Sequence, residues 1–234
     1  MTDLTNIEIK QAIKTEVKNL GFILSGFTTP EPTEHFNDYE EWVNAGYHAD
    51  MHYLARPSAL EKRKDPRLIF SETKTILVLG IPYPVPNNQD QTGYPIAAYA
   101  QGQDYHNLIA EKLAVFQPWL EQLIGKPVQN RVFTDTAPIL ERELAARAGL
   151  GWIGRNSLLI HPTIGSFFFL SEVFMDLELP PDQPFQRDLC GTCTKCINQC
   201  PTQCIQSNRQ IDSNRCLSYL TIEKKQLFTQ QERE

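Results

Sequence analysis

Four of the six cysteines lie within a short stretch of the chain, at Cys190, Cys193, Cys196 and Cys200, and none precedes them. Their spacing, C-x2-C-x2-C-x3-C followed by Pro201, is the pattern with which bacterial ferredoxins bind [4Fe-4S] clusters. In that pattern the first three thiolates bind one cluster and the fourth binds another. Zinc sites favour two separated C-x2-C pairs instead. The spacing therefore predicts iron–sulfur clusters.

The number of cysteines falls short of two complete clusters. Two [4Fe-4S] clusters need about eight thiolates, and the chain has six, with Cys204 and Cys216 as the further candidates. No second C-x2-C-x3-C-P-like run occurs before Glu234. Either the chain is a fragment, or it binds one cluster with Cys204 or Cys216 as the fourth ligand. We expect a C-terminally truncated chain.

The composition indicates in which cellular compartment the protein works and which partners it could bind. The chain has no run of apolar residues as long as a membrane span, and its polar N-terminus does not resemble a signal peptide. We therefore expect a cytoplasmic protein without a membrane partner, whose thiols stay reduced. The net charge is −6, but residues 187–225 carry six Lys or Arg against three Asp or Glu, a net +3. That local charge suits an RNA partner, with the phosphate-contact candidates Lys195, Arg209, Arg215, Lys224 and Lys225.

Hydrophobic periodicity predicts mixed helices and strands up to about residue 179, followed by the cysteine-containing segment. The proline-rich residues 180–184 mark the boundary, which gives domains 1–180 and 181–234. Helices are expected in 6–20, 104–125 with Pro118 as a kink, 137–151, and 38–56 with an interruption near Gly46. Strands are expected in 22–26, 73–86, 94–100, 130–135, 156–160 and 166–179.

Two motif matches do not fit their usual contexts. GLGWIG, residues 149–154, matches G-x-G-x-x-G, but a helix precedes it and a strand follows, the reverse of a dinucleotide-binding loop. We expect a tight helix-to-strand turn that brings the backbone close to a ligand or another segment. DYHNLI begins like a cobalt-binding D-x-H-x-x-G loop, but Ile109 replaces the glycine, so His106 is not expected to bind metal. The other histidines are not paired at ligand spacing.

One acidic residue lies where a catalytic group could be. In VFTDTAP, Asp135 follows a predicted strand and precedes a predicted helix, a position from which side chains point into the cleft of a layered sheet. Such an aspartate is most often a helix cap. It is also the strongest candidate in the first domain for a general acid.

These segments together resemble the cobalamin-dependent iron–sulfur epoxyqueuosine reductases, which complete queuosine synthesis in tRNA. The resemblance rests on VFTDTAPILERELAARAGLGWIGRNSLLIHPTIGSFFFLSEV, then CGTCTKCINQCPTQCI and RCLSYLTIE, and it extends to MHYLARPSALEKRKDPRLIF and YAQGQDYHNLI. It runs from about residue 40 to residue 225. It implies an α+β fold, in which a nitroreductase-like cobalamin-binding domain precedes a ferredoxin-like [4Fe-4S] module.

The resemblance also implies cofactors, partners and roles. Base-off cobalamin without a protein ligand on cobalt would be reduced through two [4Fe-4S] clusters by an external donor of the flavodoxin or ferredoxin type. The protein would be a monomer that acts on tRNA carrying epoxyqueuosine at the anticodon, with Asp135 as its catalytic acid. The family's segments around the cofactor match Arg56, Tyr99, Asp104, Asn156, Ser157, His161, Ser166, Phe168, Ser218 and Tyr219.

The family pattern accounts for the cysteine deficit as well. It continues after YLTIE to a second motif that completes both clusters, with Cys190, Cys193 and Cys196 in one and Cys200 and Cys216 in the other. Cys204 replaces a small residue of the family and is not expected to be a ligand. By this implication the chain could complete neither cluster by itself.

Two other functions stay open from the sequence. A corrinoid reductive dehalogenase-like enzyme would combine the same cofactors with a small organic halide. A ferredoxin-like electron carrier or a cobalamin-handling protein would need no catalytic acid. The net +3 of residues 187–225 favours an RNA substrate over an organic halide, and the absence of any effect of Asp135 on turnover would favour the carrier.

Overall fold

The computed structural model describes residues 4–84 and 96–230. Its main sheet has four strands in the order β1-β2-β6-β3, and every neighbouring pair is antiparallel. A second sheet pairs β4 with β5. The strands are β1 Leu24–Thr28, β2 Thr75–Pro82, β3 Asn130–Phe133, β4 Trp152–Ile153, β5 Leu159–Ile160 and β6 Phe168–Met175.

The described part of the chain also has six α-helices and several short turns. The helices are α1 Asn6–Asn19, α2 Phe36–Asn44, α3 Pro57–Lys64, α4 Tyr105–Ile124, α5 Glu141–Arg147 and α6 Lys195–Gln199. Short 3-10 turns occupy His52–Ala55, Pro66–Leu68, Ala98–Ala100 and Ser213–Arg215, and a π-helical turn occupies Tyr219–Glu223. None of the described helices is both long and apolar enough to cross a membrane.

The main sheet is buried between two helical layers. β2 is almost continuously apolar, which fits a central strand covered on both faces. On one face, α1 and α4 pack against the sheet through side chains such as Ile13, Leu113 and Leu79. On the other face, α5 packs against it through Leu144 and its neighbours. The even-numbered residues of β6 face α5, because side chains alternate along a strand.

The cysteine segment folds back onto the first domain. Asp182 pairs with Lys10 and Lys14 of α1 and accepts a hydrogen bond from the backbone N–H of Phe27 in β1. Farther along, the indole of Trp42 donates to the carbonyl oxygen of Ile211 over 2.7 Å. The segment is therefore attached to α1, α2 and β1.

An ion pair closes the loop that carries five of the cysteines. Arg209 pairs with Asp188, and the same guanidinium donates to the carbonyl oxygen of Ile153. The hydroxyl of Ser157 donates to the carbonyl oxygen of Arg209. Arg209 therefore has internal partners, in contrast to the expected phosphate contact.

The predicted helices and strands mostly form, with shorter bounds. The interruption near Gly46 is confirmed, since α2 ends at Asn44 and Gly46 has φ +71°. The strand expected in 94–100 is wrong for its described residues, where Ala98–Ala100 form a 3-10 turn, and residues 94 and 95 lie outside the described residues. The helix expected from residue 137 begins only at Glu141, because the turn that carries Asp135 extends to Leu140.

GLGWIG forms the predicted helix-to-strand turn between α5 and β4. Gly149 has φ +83°, and a Cβ there would lie 2.6 Å from the carbonyl oxygen of Gln183. A Cβ on Gly151 would overlap the carbonyl oxygen of Ile160 in β5. The glycines thus allow neighbouring backbone segments to pack closely. The loop follows a helix and precedes a strand, as expected, which is the reverse of a dinucleotide-binding loop.

We predict that Gly26→Ala destabilises the protein by about 1–3 kcal/mol. A Cβ on Gly26 would overlap the carbonyl oxygen of Ala148 and lie 2.6 Å from Cδ1 of Leu150, so α5 would have to move away from β1. Gly102→Ala is the control, because a Cβ there meets no atom within 4 Å. Urea unfolding of both variants measures the difference, and equal midpoints would contradict the proposed packing.

Candidate functional site

A cavity of about 300 Å³ opens between the first turn of α4, the start of β6 and the turn before α5. Its lining is mostly aromatic and apolar, with a few polar groups that converge on one side. The lining residues are Tyr83, Tyr99, Tyr105, Asp135, Glu141, Arg142, Leu158, Leu159, Ser166, Phe168, Phe169 and Leu170. This combination is typical of a small-molecule or cofactor site.

Asp135 is held at this cavity by two hydrogen bonds. The hydroxyl of Tyr105 donates to its carboxylate over 2.8 Å, and the backbone N–H of Asp135 donates to Oε1 of Glu141 over 2.8 Å. Its φ is +55°, a left-handed conformation that is uncommon for a residue with a side chain. The Tyr105 ring stacks on Phe169, with centroids 4.1 Å apart and planes 8° apart. The carboxyl group is therefore exposed but positioned.

Two further carboxyl groups lie near Asp135. Burial raises the pKa of Glu141 to about 7; the nearby carboxyl of Asp135 adds to the rise, and the guanidinium groups of Arg142 and Arg63 oppose it. Glu172, in β6, is 0% exposed. Burial raises the pKa of Glu172 well above its ordinary value, with smaller contributions from Glu141 and Asp135. Burial therefore favours the neutral form of Glu172.

Three of the ten predicted cofactor-binding residues line the cavity with Asp135, namely Tyr99, Ser166 and Phe168. Asp104 adjoins it, because its carboxylate caps α4 one residue before Tyr105 and also binds the His106 ring over 2.8 Å. Residue Ser157 contacts Arg142, whose guanidinium donates to its carbonyl oxygen. These positions cluster as the resemblance implies, and their role in binding stays a prediction.

The remaining predicted residues lie outside the cavity lining. The carboxamide of Asn156 accepts the N–H of Leu158, and the His161 ring contacts Thr163. Tyr219 is buried and donates to the carboxylate of Asp50 over 2.8 Å, which gives it a structural role. The other two, Arg56 and Ser218, are exposed.

The cysteines lie along an exposed loop and the segment after it. The indole N–H of Trp152 is 3.3 Å from Sγ of Cys190, and Trp152 stacks on Phe185. Sγ of Cys200 is 3.5 Å from Sγ of Cys204, which is buried. Among the described residues, no three Cys, His, Asp or Glu side chains are grouped so that they could hold a metal ion.

The thiols of Cys200 and Cys204 differ in their tendency to ionise. Burial raises the pKa of Cys200, but hydrogen bonds with Thr202 and Cys204 outweigh it and lower the pKa to about 7. Burial and the neighbouring Cys200 raise the pKa of Cys204 to about 12. Metal ligation requires a thiolate, so Cys200 is the better ligand of the two.

Curated relatives match along most of the chain. An epoxyqueuosine reductase from Cyclobacterium marinum is 43% identical over 221 residues, which cover 92% of this chain and 70% of the relative. The chain belongs to the epoxyqueuosine reductase family. A second such enzyme, from Leadbetterella byssophila, is 40% identical over 93% of this chain and 71% of its own length.

Family profiles and solved structures agree with the epoxyqueuosine reductase assignment. Residues 63–136 match the family described as epoxyqueuosine reductase QueG, DUF1730, and residues 189–234 match a 4Fe-4S double cluster binding domain. The epoxyqueuosine reductase from Streptococcus thermophilus has a TM-score of 0.86 at 28% identity, covering 96% of this chain and 60% of that one. A crystal structure of an epoxyqueuosine reductase with an epoxyqueuosine-modified tRNA-Tyr stem loop has a TM-score of 0.84 at 26% identity, covering 98% and 61%. The predicted α+β fold is confirmed, and the chain spans about 60% of these solved proteins.

A further solved relative has a displaced catalytic loop. The epoxyqueuosine reductase from Bacillus subtilis, with a TM-score of 0.83 at 25% identity and coverage of 98% and 61%, was solved with its catalytic aspartate loop swung out of the active site. In the present chain the turn that carries Asp135 lies at the cavity, where Glu141 and Tyr105 hold this residue.

Sequence reasoning missed several residues at and near this cavity. Tyr83, Tyr105, Glu141 and Arg142 line the cavity without forming a motif. Glu172 did carry a signal, because it is the one charged residue in the apolar run FFFLSEVFM. A charge in a buried strand is costly unless it has a function or a partner.

We predict that Glu172→Gln makes the stability of the protein less dependent on pH. A raised pKa in the folded state means that the stabilising protonation is complete at low pH and is lost as the pH rises through the folded-state pKa. Near pH 5 the two proteins should therefore have the same melting temperature. At pH 8–9 the melting temperature of the variant should be several degrees higher, since 1 kcal/mol of stability corresponds to about 2–4 °C.

Thermal unfolding between pH 5 and pH 9 measures this difference. Glu178→Gln, at an exposed position, is the control and should follow the wild type throughout. Parallel curves for Glu172→Gln and the wild type would contradict a neutral, buried Glu172.

Proposed function

We propose that the protein carrying this chain is an epoxyqueuosine reductase that reduces epoxyqueuosine to queuosine at the wobble position of tRNA. Support comes from the family membership, from the double-cluster domain at residues 189–234, and from the relative that was crystallised with a modified stem loop. The relatives are epoxyqueuosine reductases at high coverage, which favours this function over a reductive dehalogenase or a simple electron carrier.

The position of Asp135 is the observation that carries the proposal. Opening an epoxide and removing its oxygen as water consumes two electrons and two protons and leaves a carbon–carbon double bond. The oxygen must be protonated as the ring opens, because an alkoxide is a poor leaving group. Asp135 lies at the cavity with its carboxyl oriented by Tyr105, so it is placed to donate that proton.

The cavity suits part of a corrinoid. Its aromatic and apolar walls fit a flat macrocycle, and the described lining contains no histidine that could bind cobalt. The aromatic and apolar walls support base-off cobalamin as the cofactor. Tyr99, Ser166 and Phe168 would contact it there. When bound, cobalamin supplies a low-valent metal nucleophile for the epoxide carbon.

The cysteine segment would deliver electrons to this site. Cys190, Cys193 and Cys196 would ligate one [4Fe-4S] cluster, and Cys200 and Cys216 would contribute to the other, as the matched double-cluster domain supports. We infer an external donor of the flavodoxin or ferredoxin type, a monomeric protein and a cytoplasmic location. For tRNA phosphates, the exposed residues Lys195, Arg215 and Lys225 are the best candidates.

We predict that Asp135→Asn lowers the turnover of epoxyqueuosine-containing tRNA at least about 100-fold, the usual contribution of a general acid. The amide has the same size but has no acidic proton to donate. The assay is anaerobic, uses the full gene product reconstituted with iron, sulfide and cobalamin, and detects queuosine by mass spectrometry of digested tRNA.

Cobalamin absorption spectra check that the Asn variant still binds the cofactor. Glu111→Gln, on the exposed side of α4, is the control and should retain wild-type turnover. Wild-type turnover by the Asp135→Asn variant would show that Asp135 is not the general acid. A wild-type protein that binds no corrinoid, or forms no queuosine, would overturn the proposed function.

We predict that Cys200→Ser lowers the iron content of the protein and that Cys204→Ala does not. The complete protein should hold about eight irons in two clusters. Cys200→Ser should lose about four of them, because a ligand of the second cluster is missing. Cys204→Ala should keep all of them, because its buried thiol is not a ligand. Iron analysis after anaerobic reconstitution measures this difference. Loss of iron from Cys204→Ala would show that Cys204 is a ligand.

A further inference from the structure

The thiols of Cys200 and Cys204 are in direct contact. Their Sγ atoms lie 3.5 Å apart. In a [4Fe-4S] cluster with four cysteine ligands, each iron carries one thiolate, so the cluster holds its ligand sulfurs apart. Two sulfurs in contact are therefore not arranged as two ligands of one cluster. They are arranged as a pair from which a disulfide can form after a small movement of the side chains.

The backbone around the two residues brings their thiols together. Pro201 is the second residue of a turn in which the backbone N–H of Gln203 donates to the carbonyl oxygen of Cys200 over 3.1 Å. Proline suits that position because its φ is already close to the value that the turn requires. Gln203 has φ +51°, which redirects the chain before Cys204. The carbonyl oxygen of Cys204 then accepts the backbone N–H of Asp212 over 2.9 Å, so its position is fixed as well.

The two thiols differ in their access to solvent. Cys200 is partly exposed, whereas Cys204 is only 4% exposed. An oxidant that arrives from solution therefore reaches the sulfur of Cys200 first. The oxidised sulfur would then be in contact with a thiol that the same oxidant does not reach. Redox-sensitive cysteines commonly combine an accessible thiol with a second, resolving cysteine beside it.

The other cysteines do not make this contact. Cys196 is also four residues from Cys200 along the chain, but it lies on α6, which ends at Gln199. In the part of the chain that the structure describes, the sulfur of Cys200 contacts Thr202 and Cys204 and no other thiol. The geometry therefore selects Cys204 as the partner of Cys200.

We propose that Cys200 is an oxidation site and Cys204 its resolving thiol, in the protein before its clusters are assembled, with hydrogen peroxide as the oxidant. The sulfur of Cys200 attacks one peroxide oxygen, the O–O bond breaks, and a sulfenic acid and water form. The sulfur of Cys204 then attacks the sulfur of Cys200. The S–O bond breaks, an S–S bond forms, and the oxygen leaves as a second water. The two thiols lose two electrons and two protons, and the peroxide takes up both.

The disulfide would protect a cluster ligand from permanent damage. Without a resolving thiol, a sulfenic acid is oxidised further to a sulfinic acid, which thiols do not reduce. A disulfide is reduced by a dithiol through thiol–disulfide exchange. Cys200 is then free again to bind iron. This inference goes beyond the proposed function, because the disulfide forms without cobalamin, tRNA or reductase activity.

The first measurement identifies the disulfide in the full gene product. Its iron is removed anaerobically with a chelator and a reductant, an equimolar amount of hydrogen peroxide is added, and free thiols are alkylated. Trypsin cuts after Lys195 and Arg209, so one peptide contains Cys196, Cys200 and Cys204. We expect mass spectrometry to show this peptide with an alkyl label on Cys196 and a disulfide between Cys200 and Cys204.

Two variants test the choice of partner. Cys204→Ala should lose the disulfide of Cys200. Cys216→Ala is the matched control and should keep it, because the Cys216 thiol makes no contact with Cys200 among the described residues. If the wild type forms no disulfide, or if Cys200 pairs with another cysteine, the oxidation site does not exist as proposed.

The second measurement tests the protection of Cys200. The iron-free protein is exposed to excess peroxide, treated with dithiothreitol and reconstituted with iron and sulfide, and its iron content is compared with that of its own untreated sample. We expect the wild type to regain a larger fraction of its iron than Cys204→Ala. In that variant the tryptic peptide should carry several-fold more sulfinic acid at Cys200. Equal recovery and equal sulfinic acid in both proteins would overturn the protective role.

The outcomes separate this site from the proposed function. A wild-type protein that forms queuosine but no disulfide would overturn the oxidation site alone. A protein that forms the disulfide but no queuosine would overturn the proposed function and leave the oxidation site standing.

Discussion

The backbone N–H of Asp135 donates to the carboxyl of Glu141 across the turn between β3 and α5. This hydrogen bond stabilises a left-handed backbone conformation at a residue with a side chain, which is otherwise unfavourable. The conformation directs the carboxyl of Asp135 to the hydroxyl of Tyr105, and the stacking of Tyr105 on Phe169 ties that hydroxyl to β6. The catalytic candidate is thus positioned by contacts with three separate elements.

The sheet makes this positioning possible at some cost in stability. β6 is a central strand, and its side chains alternate between the two cores, so a polar residue on it cannot reach solvent. Glu172 occupies such a position, and Ser171, its neighbour, satisfies its hydroxyl by donating to the carbonyl oxygen of Phe133. The contrast between the two residues indicates that burial of polar groups in β6 is compatible with the fold, and that of these two only Glu172 lacks a hydrogen-bond partner in the described part of the chain. Proteins keep such local conflicts mainly where function needs them.

The double-cluster segment, the position of Asp135 beside a cavity and most helices and strands could be predicted from the sequence, because each depends on local spacing or periodicity. Asp135 follows a strand and precedes a helix, so its position near a cleft follows from the connection alone. Tyr105 and Glu141 could not be found in this way, since their contacts with Asp135 join residues from different elements whose packing no short motif encodes. The strand expected at residues 94–100 was wrong where it is described, because an alternating pattern also suits an exposed turn.

The ion pair between Asp188 and Arg209 affects how the iron–sulfur clusters can assemble. The two residues bring together the ends of the loop that contains Cys190 to Cys204, and Arg209 is attached to Ile153 and Ser157 of the first domain as well. An exposed ion pair by itself contributes little, but the bonds to the first domain hold the ends of the loop together before iron binds. Much of the conformational entropy of closing the loop is then lost on folding of the polypeptide and not on incorporation of the metal. Folding consequently fixes the ends of the cysteine loop, and cluster binding has to order only the residues between them, whose thiols are not grouped around a metal site in the described part of the chain.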